Sequence, residues 1–113
     1  MQNPSSPETL FHLAETTVWN AQQAAADYTP PTFAEEGFVH CSTAEQLPGT
    51  AQRFYAGRDM VLLTLNATLV PVVYENLEGG DMLFPHVYQP LPKTAVLEAK
   101  AVHIDAQGAL HDA

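Results

Sequence analysis

Short apolar runs, broken at close intervals by Gly, Pro, Asn and Asp, set the pattern of this chain, and their periods separate strands from helices. Alternation over residues 9–14 (TLFHLA) predicts a first strand, with Leu10 and His12 on one face and Phe11 and Leu13 on the other. Thr16 or Thr17 is placed to cap a helix running to Ala26, carried by Val18, Trp19, Ala21 and Ala25, and Pro30-Pro31 stops it. Residues 32–37 (TFAEEG) have the spacing of one helical turn. Thr32 and Glu35 stand at capping-box distance there, and Gly37 suits a left-handed stop. A short strand follows over residues 38–41. Ser42-Thr43-Ala44-Glu45 then repeats the capping pattern, and Pro48 suits the first turn of a helix over residues 48–56.

The second half reads as strands. Residues 59–66 (DMVLLTLN) are apolar on both faces, which marks a central strand. Residues 70–76 form another, with Pro71 near its start. After the loop Glu78-Gly79-Gly80-Asp81, residues 84–88 are extended, and Pro85 assigns them to a sheet edge or a loop. A long strand is predicted over residues 94–104, then a tight turn at residues 105–108 and a short returning edge at 109–111. No helix separates the later strands. The fold class expected is therefore α+β, a small mixed or antiparallel β-sheet with two to three short helices. Residues 1–8 read as a flexible leader and residues 9–113 as a single domain.

Charge narrows the function. Thirteen acidic residues against four basic ones give a formal net charge of −9, so clustered Lys and Arg for nucleic acid or an anionic membrane surface are missing. No apolar stretch is long enough to span a bilayer, and the first residues lack the pattern of a signal peptide. The single cysteine, Cys41, cannot form an internal disulfide, which points to the cytoplasm. Small-molecule or protein partners remain, and of these a small-molecule ligand is expected; the pattern is silent on oligomeric state.

Candidate chemistry concentrates on three histidines in strand-like runs: His12 in LFHLA, His40 in GFVHCST and His86 in LFPHVYQP. Imidazole can donate, accept or bind metal near neutrality, so one pocket built across several strands is expected between them. His103 and His111 look less organised. Strand alternation turns His40 and Ser42 one way and Cys41 the other, which makes Cys41 a small core residue rather than the nucleophile of a Cys–His pair. Ser42 and Thr43, at the start of the following helix, are candidates for a polar ligand group, or merely cap that helix. Phe84, His86 and Tyr88 share a face, an aromatic wall suited either to stacking a planar ring or to plain core packing. Glu75 is the best-placed catalytic carboxylate. A three-histidine metal site competes, but the close spacing typical of metal ligands is absent.

LFHLA, Trp19-x-x-x-x-x-Ala25, Tyr28-x-Pro30, EEGFVHCST-x-EQ, RFYAG, LLTLN, VVYEN and FPHVYQPLPKTAV together resemble the bacterial domain-of-unknown-function family 952, from about residue 9 to 103. The resemblance implies an ADP-ribosyltransferase-like fold, the split-sheet scaffold of NAD-using transferases and RNA 2′-phosphotransferases. It implies NAD or a related nucleotide as the ligand and the nicotinamide–ribose bond as the reacting one. His12 would then hold a ribose, His40 would stand beside the nicotinamide, and His86 with Glu75 would occupy the late motif that commonly offers a glutamate. Ser42 and Thr43 would meet phosphate, and Phe84, Tyr88 and Trp19 would flank the ligand. A non-catalytic ligand-binding module and a three-histidine metal-dependent hydrolase are the alternatives.

Overall fold

In the computed structural model, which describes residues 8–113, every strand pair is antiparallel and the strands fall into two main sheets. The larger has the order β1 (Thr9–Glu15), β4 (Asp59–Asn66), β8 (Val96–Ile104), β9 (Leu110–Asp112). The smaller has β3 (Val39–His40), β6 (Phe84–Val87), β5 (Val72–Glu75). A two-stranded ribbon joins β2 (Asp27–Tyr28) to β7 (Leu91–Pro92), a pairing the sequence pattern did not suggest. Three short helices complete the described residues: α1 (Thr16–Ala21), α2 (Phe33–Glu36) and α3 (Leu47–Tyr55). This is an α+β architecture, and among the described residues no helix is long and apolar enough to cross a membrane. The leader expected over residues 1–8 lies, apart from Glu8, outside the described residues. The Glu8 carbonyl accepts the Ala67 N–H.

β4 is apolar on both faces because it is covered on both. Val61, Leu63 and Leu65 turn, with Leu10 and Ala14 of β1, into the cluster that holds Tyr28, Val39, Cys41, Val87 and Leu91. Met60 turns, with Leu13, Val102 and Ile104, onto Ala51 of α3. The two sheets meet at one point. Phe11 and Ser42 exchange both backbone hydrogen bonds, 2.9 and 2.8 Å, across the free edge of β1. The smaller sheet thereby continues the larger, and the parity of each strand is fixed across the seam.

Several local expectations shift. The helix from Thr16 ends at Ala21 rather than Ala26. The Gln22 amide clamps the Thr29 backbone in both directions at 2.8 Å, and Lys93 Nζ takes the Gln22 carbonyl. Thr16 does not cap that helix; its hydroxyl donates to the Asp59 carbonyl instead. The second capping box sits one residue later than expected. Thr43 and Gln46 close it reciprocally, with Thr43 N–H on Gln46 Oε1 and Gln46 N–H on Thr43 Oγ1. Gly37 adopts φ +79° as the left-handed stop of α2. The largest correction concerns residues 84–88. β6 is the middle strand of its sheet, not an edge, although it contains Pro85. The Pro85 carbonyl accepts the Cys41 N–H, and the β3–β6 ladder ends where proline has no N–H to return.

Candidate functional site

Strand parity assembles the site. His40 pairs with His86, Val73 with His86 and Glu75 with Phe84, so Phe38, His40 and Ser42, Phe84, His86 and Tyr88, and Glu75 share one face of the smaller sheet. The opposite face carries Val39, Cys41 and Val87 into the core. Across the seam Phe11 continues the first face. There α3 stands over it, and a cleft of about 610 Å³ opens, lined by Phe11, Phe38, Leu47, Phe54 and Phe84 among apolar residues and by Glu36, His40, Ser42, Thr50, Arg53, Glu75 and His86 among polar ones.

His40 and His86 meet edge to face with ring centroids 5.2 Å apart. His86 is buried, and its ring lies flat on Phe38 at 4.1 Å. Each imidazole is held by a carboxylate. His86 Nδ1–H donates to Glu75 Oε2 at 2.8 Å, and the same oxygen accepts the Tyr88 hydroxyl. His40 Nε2–H lies 3.0 Å from both oxygens of Glu36, one turn earlier on α2. The hydrogen bond from Tyr88, then that from His86, holds the Glu75 carboxyl below its usual range. The bond from His40 does the same for Glu36. Both are carboxylates at neutral pH. Tyr88 is in turn pushed up by the carboxylate it serves.

His12 is placed differently. Its parity on β1 matches Leu10 and Ala14, so its ring turns toward the core, 5.9 Å from Tyr28, while Phe11 and Leu13 turn toward α3. It borders the cleft and touches the other two histidines' neighbourhood through one bond, Nδ1–H to the His40 carbonyl at 2.6 Å. That bond leaves Nε2 as an acceptor, buried with no partner. Burial lowers the His12 pKa to about 4, so the ring is neutral. Two imidazoles therefore converge side by side, and the third stands behind them.

The remaining candidates divide. Ser42 lines the cleft, and its hydroxyl meets that of Thr50 at 3.0 Å. Phe84 lines it as well, and Tyr88 stands at its margin, 5.3 Å from Phe38. Thr43 is occupied in the capping box, and Trp19 packs on Tyr28 at 5.4 Å beneath Lys93; both are outside the cleft lining. Cys41 is buried, and its thiol is pushed up to about 12, so it stays protonated and inert. His103 and His111 face each other across β8 and β9, paired with Asp59 and Asp105 far from these groups in the sheet order. Among the described residues no three His, Cys, Asp or Glu side chains gather to hold a metal ion. Phe38 and Arg53 are site residues that the strand-run reading passed over. Phe38 had a signal, since it precedes His40 by two in a strand; Arg53 had none.

The class defined by this geometry is a small α+β protein whose split antiparallel sheet carries a paired His–carboxylate floor beneath one helix. Within that class the chain belongs to the family described as protein of unknown function (DUF952), whose model matches residues 13–99. Solved structures similar to it include the crystal structure of protein CC0527 from Caulobacter crescentus, with 27% identity over 91% of this chain and 93% of that one and a TM-score of 0.79. The solution NMR structure of the same protein has 28% identity, 90% coverage of each chain and a TM-score of 0.75. No curated protein matches.

Proposed function

We propose that the cleft binds NAD or a related nucleotide and breaks its nicotinamide–ribose bond, as in ADP-ribosyltransferase-like proteins. One observation carries the reading: Glu75, held by the buried His86 and by Tyr88, stands beside the more exposed Glu36–His40 pair in a cleft walled by aromatic rings. Scission of an N-glycosidic bond passes through an oxocarbenium-like state, which needs fixed negative charge at the sugar and a flat surface for the ring. Glu75 supplies the charge, held in place by Tyr88 and His86. Phe84 and Phe11, both half-buried in the lining, offer ring faces, and the Ser42–Thr50 hydroxyl pair suits sugar hydroxyls. The C1′–N bond breaks with its electron pair passing to the pyridine nitrogen, so neutral nicotinamide leaves. Water adds to C1′ and its proton passes to the Glu36–His40 pair. The ribose role expected of His12 becomes a positioning one, exerted through the His40 carbonyl.

The test is incubation with NAD, following nicotinamide by chromatography and binding by calorimetry. Turnover in the native chain, with Glu75→Gln reducing it about a hundredfold or more, is the expected result. No binding at millimolar NAD overturns the reading. Because both partners of Glu75 already share one of its oxygens, a binding module without turnover is the second reading. It predicts NAD binding with no nicotinamide released.

A further inference from the structure

The cleft is lined by charge of both signs, and its one basic side chain is unexplained by the His–carboxylate chemistry. Of the four basic residues, Arg58 pairs with Glu15, Lys100 with Asp112, and Lys93 lies over Trp19, all away from the cleft. Arg53 alone among them lines it. Its guanidinium sits over the Phe54 ring at 4.9 Å, and it touches one acid, Glu78, through a single contact of 3.5 Å. Both side chains are well exposed, at 63% and 71%, so the pair is worth little and exchanges readily.

The backbone of the segment that carries Glu78 is tied by a few exposed side-chain hydrogen bonds. Asn76 Oδ1 accepts the Glu78 N–H, and Asn76 Nδ2 donates to the Met82 carbonyl at 2.7 Å. Gln46 Nε2 ties the Leu83 carbonyl to the start of α3 at 2.7 Å. The backbone over residues 76–83 is thus anchored on both sides while the Glu78 side chain can swing away.

We propose that Arg53 is the anion subsite of this cleft, that Glu78 is its place-holder, and that the ligand's phosphate displaces Glu78 on binding. The proposal rests on the nucleotide reading above and sharpens it to a ligand with two unlike ends. A planar guanidinium can give a phosphate two parallel hydrogen bonds where it now has one weak contact. Meanwhile the Glu36 and Glu75 carboxylates at the floor favour a ring or sugar that carries or develops positive charge. A ligand bearing phosphate at one end and a pyridinium–ribose at the other matches both. A polyphosphate placed against the floor does not.

The experiment compares NAD and nicotinamide mononucleotide with nicotinamide riboside, which differs from the mononucleotide by its phosphate alone, by calorimetry on the native chain and on Arg53→Gln, Arg53→Lys and Glu78→Gln. Arg53→Gln is expected to weaken NAD and the mononucleotide about tenfold or more and to leave the riboside within about twofold. Arg53→Lys should recover only part of that loss, because an ammonium cannot present the fork. Glu78→Gln should tighten NAD about two- to fivefold, and added salt should shrink these differences. If Arg53→Gln weakens the mononucleotide and the riboside alike, or neither, or if Glu78→Gln weakens NAD, the subsite is overturned while the nucleotide reading stands. If the native chain binds none of the three, both fall together. Unchanged melting temperatures of the exposed variants separate either result from unfolding.

Discussion

At the scale of single residues, two side chains give measurable handles. His12 is buried neutral, with burial lowering its pKa to about 4, while the unfolded chain takes up that proton near the ordinary value of about 6.5. The unfolded state therefore binds more protons in between. Stability from this group is complete above about pH 6.5 and erodes as pH falls toward 4. Between about pH 7 and 5 the loss is on the order of 2 kcal/mol. Urea unfolding of the native chain and of His12→Gln at both pH values checks it: the variant should lose much of the pH dependence. An identical slope in both would show that His12 is not held neutral. The second handle is Glu75, whose carboxyl is held low chiefly by Tyr88. Tyr88→Phe should move the Glu75 titration upward in carbon-13 spectra while the His86 hydrogen bond retains part of the depression. Stability from Glu75 is present above its unfolded pKa and is lost as pH falls through the lower folded one.

The elements show how one position can matter more than its residue type suggests. Gly108 closes the β8–β9 turn at φ +92°, and a Cβ there would stand 2.4 Å from Gln52 Cβ and 2.5 Å from Gln52 Cα on α3. Backbone cannot step aside as a flexible side chain would. Gly79, in the segment after β5, has a similar φ of +88° but open space around it. Gly108→Ala is expected to cost about 3 kcal/mol or more, and Gly79→Ala about 1 kcal/mol. Comparable losses in chemical denaturation would mean that α3 does not pack on that turn. The same packing shows what the pattern could tell. The two-faced run over residues 59–66 announced a central strand, because only burial on both sides tolerates continuous apolar sequence. Pro85 misled, because proline removes only one ladder bond, and the side on which that bond is missing depends on which neighbours the strand receives.

For the whole molecule, the two sheets have unequal support. β1 and β4 carry core on both faces, while the smaller sheet has core on one face and the cleft on the other. Native-state amide exchange should therefore protect β4 most, and should release β5 together with residues 76–83 at lower free energy. Uniform protection of the two sheets would contradict this division, and NAD, if it seats in the cleft, should slow exchange in β5 and β6 selectively.

Sequence alone determined the parity within each strand: Phe84, His86 and Tyr88 share a face, as do His40 and Ser42, and Cys41 turns away, because side-chain direction in an extended chain alternates whatever surrounds it. It also determined the two-faced burial of residues 59–66 and the stop at Gly37. Tertiary structure decided which parities meet. The Phe11–Ser42 exchange across the seam puts His40 and His86 on the α3 side and sends His12 behind them, and the fold of α3 over that face brings Arg53 to a cleft it shares with residues far away in the chain. Periodicity is a local consequence of backbone geometry, whereas strand order and register are settled by the burial of both sheets at once, which no single segment encodes.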